Sequence, residues 1–305
     1  MGNITIQSKC PLCFHTKNKL LFQIKGLPLY SCGNCHCHFI DSRVYDQNLK
    51  LYKESFYHEE GSRFNPIIEA LTLLLRKIRM KLILKYKASK NKILDIGCGR
   101  GEILKFFKSK GWDVVGLQLS KPLADSLNQK GIYTLNCPLE ETNFRKGEFD
   151  VITMFHVLEH LKNPDNSIEY YKEILKKGGL FIIEVPNIES WSCSFGKQGW
   201  LNYDIPNHIV NFGNSQLHEL MSNKGFKVLE ATTRSLEFGP YSFLQSFLNR
   251  LYPNNNFFQI MQSKNILSYF IFGIILLLSP IFVLIEGIAV LFGKGSIVRF
   301  AFQKK

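Results

Sequence analysis

The chain has 305 residues and a formal net charge of +13, from 38 Lys and Arg against 25 Asp and Glu. That length allows about two domains with a full-sized core. The charge points to a polyanionic neighbour: nucleic acid, anionic lipid or a phosphorylated substrate. The first residues, MGNITIQSK, hold no apolar run, so they are not expected to act as a secretory signal, and Ile6 breaks the myristoylation pattern.

Of the eight cysteines, four fall into two C-x-x-C pairs, Cys10 with Cys13 and Cys32 with Cys35, with 18 residues between the pairs. This grouping argues against a disulfide framework and for a metal site, because four thiolates match the tetrahedron that Zn²⁺ accepts. A segment of about 45 residues buries little core, so a metal crosslink would supply its stability. Residues 1–45 are therefore expected to form a zinc ribbon around a structural Zn²⁺. Cys37, His15, His36 and His38 are alternative ligands.

Residues 46–90 read as a linker and a basic amphipathic helix. The stretch 69–92 has eight Lys or Arg and no acid after Glu69, with Leu71, Leu74, Leu75, Ile78, Leu82 and Tyr86 at helical spacing. Such a helix suits an anionic membrane surface; the alternative is a helix packed on the sheet that follows.

NKILDIGCGRG (91–101) is a short apolar run ending in a glycine-rich loop, followed by the helical EILKFFKSKG. A strand, a glycine turn and a helix start set backbone N–H groups beside a ligand. Further along stand DVVGLQLS (113–120), FDVITMFHVLEHL (149–161) and LKKGGLFIIEVPN (175–187). In this order the pieces resemble the class I S-adenosylmethionine-dependent methyltransferases over roughly 91–235, with LDIGCGRG as their first motif. The resemblance implies an α/β fold, a Rossmann-like sheet with helices on both faces, and S-adenosyl-L-methionine as cofactor. It also implies that Asp95, Gly97, Cys98, Gly99, Gly101, Gln118, Leu119, Leu139 and Phe155 hold that cofactor. Two positions depart from the family. Gln118 stands where a carboxylate usually accepts from both ribose hydroxyls, and an amide has one acceptor oxygen. Pro138 stands near where an acid often flanks the adenine.

Methyl transfer from a sulfonium is an in-line displacement, so the protein aligns the nucleophile and removes its proton where needed. His156, Glu159 and His160 follow the fourth strand of the pattern. If the chain is helical from Val157, His156 and His160 share a face at i, i+4; alternatively Glu159 and His160 brace the loop. The irregular, aromatic-rich segment 186–212 reads as the acceptor side, with Trp200, Tyr203 and Asp204 against the substrate. His208 is the candidate general base, since imidazole titrates near neutrality.

Between Lys264 and Glu286 lie 21 uncharged residues, enough for a bilayer span. Yet SIVRFAFQ, near the C-terminus, alternates like a strand. In the family the last strand returns to the sheet between the fifth and sixth, which requires 236–292 to leave and return on one side. Ser279-Pro280 divides the apolar run, and arms of 12–13 residues rise only about 20 Å. The segment is therefore expected to be an apolar helical hairpin inserted into a methyltransferase domain of 91–235 plus 293–305. It would lie on the cytoplasmic face of a membrane and bring a small or amphiphilic acceptor such as a glycan, lipid-linked sugar or quinone. Two other readings stand beside this one: a catalytically weak or inactive binding protein, motivated by Gln118 and Pro138, and an RNA methyltransferase.

Overall fold

The computed structural model describes residues 8–41, 77–87, 91–235, 237–251 and 266–305, apart from the side chains of 266–272 and 274–276. The chain divides into two compact units: Met1–Asp41, Pro186–Gln216 and Thr232–Arg299 in one, Ser42–Val185, Leu217–Ala231 and Phe300–Lys305 in the other.

The α/β sheet and its helices lie mostly in the second unit. In chain order the elements are α1 (77–86), β4 (Lys92–Ile96), α2 (Glu102–Ser109), β5 (Asp113–Leu117), α3 (Lys121–Gln129), β6 (Thr134–Leu135), β7 (Phe149–Phe155), α4 (Pro164–Ile174), β8 (Leu175–Pro186), α6 (Asn214–Asn223), β10 (Phe226–Thr232) and β11 (Ile297–Lys304). The ends of α6, β8, β10 and β11 are assigned to the first unit. The seven strands lie in the order β10-β11-β8-β7-β4-β5-β6. β4 pairs in parallel with β5 and β7, β5 with β6, and β7 with β8. The central strand β4 (KILDI) is buried from Ile93 to Ile96, as a parallel strand covered on both faces requires. The C-terminal strand does lie between β8 and β10, as the family resemblance implies.

Helix α1 packs on this sheet. Met80, Leu82 and Ile83 join Ile93, Leu104, Val151 and Leu180 in one core. The expected face holds at Leu82 and Tyr86 and fails at Ile78, which is 45% exposed, whereas Arg79 is only 7% exposed. An ion pair with Glu184 explains why an arginine is tolerated there. Positions 69–76 of the expected helix lie outside the described residues.

The first unit contains the cysteine module. β1 (Asn18–Ile24) and β2 (Leu27–Cys32) form an antiparallel hairpin, and β3 (His38–Phe39) continues the sheet against β2. The fourth strand is β9 (Val210–Asn211), pairing antiparallel with β3. Helix α5 (Trp191–Gly196) starts at Ser190, whose Oγ accepts from Cys193 N at 3.1 Å. Helices α7 (Gly239–Leu251) and α8 (Ile266–Leu291) complete the unit. Phe243, Leu244 and Leu248 of α7 bury Phe282 of α8.

The expected break at Ser279-Pro280 does not form: Pro280 lies inside the continuous helix α8. A proline removes one backbone donor at a cost of roughly 3 kcal/mol. Packing of Leu278, Phe282 and Ile285 against α7 on both sides of it offsets that loss. Glu286 pins the end of α8: its carboxylate accepts from Ser296 N at 2.7 Å and Ser296 Oγ at 2.8 Å. Among the residues whose side chains are described, no helix is long and apolar enough to cross a membrane.

Candidate functional site

β4 carries Asp95 as its next-to-last residue and runs into a loop whose glycines all adopt left-handed backbone: Gly97 φ 67°, Gly99 φ 54° and Gly101 φ 71°. Gly97 N and Cys98 N both donate to Leu117 O, at 2.8 and 3.2 Å, tying the loop to the end of β5. A Cβ on Gly97 would stand 2.4 Å from Val157 Cγ2, so only glycine fits under the segment after β7. At Gly99 an added Cβ would meet nothing within 4 Å, which leaves the loop backbone open to a ligand. Asp95 is buried and accepts from Thr153 Oγ1 at 2.7 Å. Burial lifts its carboxyl to about 7, against the opposing pull of the Thr153 bond and the Arg79 charge. Burial likewise pushes the Cys98 thiol up, which keeps it neutral.

At the end of β5, Gln118 is 3% exposed and its Oε1 accepts from Ser120 N at 3.0 Å. One of the two lone pairs of the single acceptor oxygen is thus taken within the chain, and the NH₂ can only donate. The next residue, Leu119, is 51% exposed, whereas Leu139 is buried in the turn Leu139–Glu141 that Pro138 begins. An open glycine loop, a buried carboxylate and an exposed apolar surface at Leu119 fit S-adenosylmethionine. The fit differs from the usual one at the ribose, where Gln118 offers a donor in place of two acceptors.

After β7 the chain turns at His156, which takes φ 57°. The expected helical face of His156 and His160 does not form, because Leu158–His160 is a single 3₁₀ turn. His156 lies between two wholly buried carboxylates: Nε2 is 3.1 Å from Glu184 Oε1 and Nδ1 is 3.5 Å from Glu159 Oε1. Arg79 Nη2 also donates to Glu184 Oε1, and its guanidinium stands 4.6 Å above the Phe155 ring. Burial disfavours the charged imidazole, but the bonds to Glu159 and Glu184 outweigh it and raise His156 to about 9. At neutral pH His156 is therefore an imidazolium bound by two carboxylates, and not a proton acceptor. Sequence reasoning missed Arg79 and Glu184. The available signal was a lone acid within the apolar strand FIIEVP. Arg79 had none, being one of eight cations in its stretch.

In the first unit, Trp200 and Tyr203 are both 2% exposed and pack edge to face with centroids 4.9 Å apart. Trp200 Nε1 donates to Ser192 Oγ at 3.1 Å. Tyr203 OH is 3.0 Å from His38 Nδ1, and burial pushes its phenol far up. Both rings are thus interior groups of the aromatic segment. Asp204 takes φ 32°, and its backbone oxygen accepts from Asn207 N and His208 N at 2.8 and 3.2 Å. His208 Nδ1 lies 2.6 Å from Asn202 O. A carbonyl only accepts, so Nδ1 carries a proton and donates to it.

The thiols of Cys10, Cys13, Cys32 and Cys35 all lie within 4.8 Å of one another. Sγ–Sγ separations of 3.7 Å for Cys10 with Cys35 and 3.4 Å for Cys13 with Cys32 are close to the edge of a ZnS₄ tetrahedron, about 3.8 Å for bonds of about 2.3 Å. The fifth thiol, Cys37, is buried 3.5 Å from Cys10 and 3.4 Å from Cys35. Bonds from Cys35 and Cys37 pull Cys10 down to about 5 against the effect of burial, the thiolate state a metal needs. The donor set fits Zn²⁺.

A family model described as a methyltransferase domain matches residues 68–231. The uncharacterized protein MJ1123 of Methanocaldococcus jannaschii is 31% identical over 149 residues, which cover 49% of this chain and 71% of that protein. The ubiquinone biosynthesis O-methyltransferase of Dechloromonas aromatica is 29% identical over 148 residues, 46% of this chain and 62% of its own length. Among solved structures, the geranyl diphosphate C-methyltransferase of Streptomyces coelicolor is similar with a TM-score of 0.52 at 15% identity, covering 85% of this chain and 98% of that one. A SAM-dependent methyltransferase from Archaeoglobus fulgidus gives 0.50 at 18% identity, covering 84% and 99%. At such identities the structures share the fold, while the family match spans more than half of the sequence. The chain belongs to the class I S-adenosylmethionine-dependent methyltransferases and is an enzyme of methyl transfer.

Proposed function

We propose that the enzyme methylates a small amphiphilic acceptor, quinone-like or lipid-linked, at an anionic membrane surface. The observation that carries this reading is a stripe on α8. Leu277, Ile281, Leu284, Ile288 and Leu291 recur at steps of four and three and are 77, 52, 64, 39 and 84% exposed. Phe292, 67% exposed, extends the stripe. Large apolar residues repeated along one exposed face mark an interaction surface. The bilayer is favoured as its occupant because the chain carries a charge of +13 and the sole acid of α8, Glu286, is buried. The similarity to a ubiquinone biosynthesis O-methyltransferase supports a quinone-like acceptor class.

When bound, S-adenosylmethionine supplies an electrophilic methyl group, and transfer leaves S-adenosylhomocysteine. The glycine loop, Leu119 and the Gln118 amide hold and orient the cofactor. The ion network of Arg79, Glu184, His156 and Glu159 fixes the turn after β7. His208 would serve as the general base that receives the acceptor's proton. The cysteine cluster holds a structural Zn²⁺. RNA labelling would mark the other reading.

The test is flotation of the full chain with liposomes, with and without phosphatidylglycerol, beside an assay of labelled methyl transfer to prenylated phenols. Binding to anionic vesicles together with acceptor labelling is the expected result. Failure to float, or α8 buried instead in a dimer, would overturn the membrane assignment.

A further inference from the structure

The cysteine module has little core of its own. In the described part of 8–41 the buried apolar side chains other than cysteine are Leu12, Leu29, Phe39 and Ile40. Its sheet is completed by the other end of the aromatic segment. His38 pairs with Asn211 and Phe39 with Val210, and Ile40 N donates to Ile209 O at 3.0 Å. Each of these strands is two residues long, too short to persist without support at both ends. β3 is supported at one end by the cluster itself. Cys35 lies three residues before His38, and the turn between the second thiol pair and β3 is closed by Cys32 N donating to Cys37 O at 3.0 Å. A second link runs through side chains: His38 to Tyr203 OH at 3.0 Å, and Lys25 Nζ to Ile205 O at 3.4 Å. His208 falls between these two attachments.

We propose that a metal held by Cys10, Cys13, Cys32 and Cys35 is the staple of segment 203–211, acting through β3 with His38 as a positioning residue. Metal loading then sets the order of the segment that carries His208 and leaves cofactor binding untouched, because the glycine loop and Gln118 belong to the other unit. The module is thus a part of the acceptor-side frame. The inference rests on reading the cluster as a metal site and 186–212 as the acceptor side.

The experiment uses the full chain, purified with Zn²⁺, then metal-depleted with a chelator under reducing conditions and reloaded with Zn²⁺. Metal content, amide exchange and calorimetric S-adenosylhomocysteine binding are measured in each state. The expected result is one Zn²⁺ per chain and at least tenfold faster exchange at Val210 and Asn211 on depletion, reversed by Zn²⁺. The cofactor-product Kd should stay within twofold. H38F should keep its Zn²⁺ yet lose protection in 203–208, and H38N, whose amide can still bond Tyr203 OH, should restore it. Absence of Zn²⁺ binding, unchanged exchange on depletion, or loss of S-adenosylhomocysteine binding together with the metal would each overturn the proposal. Unchanged protection in H38F would remove the role of His38. Failure of the zinc-loaded protein to bind S-adenosylhomocysteine would instead contradict the enzyme reading and leave the staple standing.

Discussion

Glu184 Oε1 lies 3.1 Å from His156 Nε2 and also accepts from Arg79, so one buried carboxylate joins the end of β8 to the turn after β7 and to α1. Charges removed from water are tolerated only when paired and hydrogen-bonded. E184Q should therefore leave two cations short of a counter-charge. We expect it to lower stability by about 3–5 kcal/mol and to bring the His156 pKa down by more than one unit, read from the imidazole signal in an NMR titration.

The same pair sets a pH dependence. His156 titrates at about 9 in the folded chain against 6.5 unperturbed. Its stabilisation is thus complete below the unfolded value and is lost as the pH rises through the folded one, with a magnitude of roughly 3 kcal/mol. Melting temperature should fall between pH 7 and 10, and H156N should flatten that part of the curve.

The glycine loop and the paired cysteines were legible because each is written in local spacing, G-x-G-x-G after an apolar run and C-x-x-C twice, while the place of the last strand came only with the family resemblance. What stayed hidden joins distant positions. Arg79 meets Glu184 across 105 residues, and the charge pattern of 69–92 singles out no arginine. The two-residue strands β3 and β9 have no periodicity to detect. Pro280 was read by its local propensity, which the packing of α8 on α7 overrides.

Gln118 invites a gain-of-affinity test. In Q118E one carboxylate oxygen can keep the bond from Ser120 N while the other accepts from a ribose hydroxyl. A charge-assisted bond of about 1–2 kcal/mol corresponds to S-adenosylmethionine binding tighter by roughly 5- to 30-fold. Calorimetry reads this directly, and unchanged or weaker binding would show that the ribose is held elsewhere.

Gly97 is tested by G97A. The positive φ and the 2.4 Å approach to Val157 Cγ2 together forbid a Cβ. Cofactor affinity should drop at least a hundredfold. V157A in the same chain should recover part of it by opening the space, as judged by calorimetry with circular dichroism to verify folding.

His208 should carry proton removal with no part in cofactor binding. H208A is expected to lower kcat more than a hundredfold while the S-adenosylmethionine Kd remains within twofold.

The stripe on α8 predicts that L277D combined with L284D abolishes flotation with anionic vesicles and leaves the melting temperature within about 2 °C, since both positions are solvent-exposed.

The most direct test of the account is to incubate the full chain with methyl-labelled S-adenosylmethionine and separate membrane-lipid, aqueous and RNA fractions of a cell extract. The label is expected in the organic phase on a prenylated or lipid-linked species, and H208A should abolish it. Label confined to RNA or to water-soluble metabolites would contradict the amphiphilic acceptor.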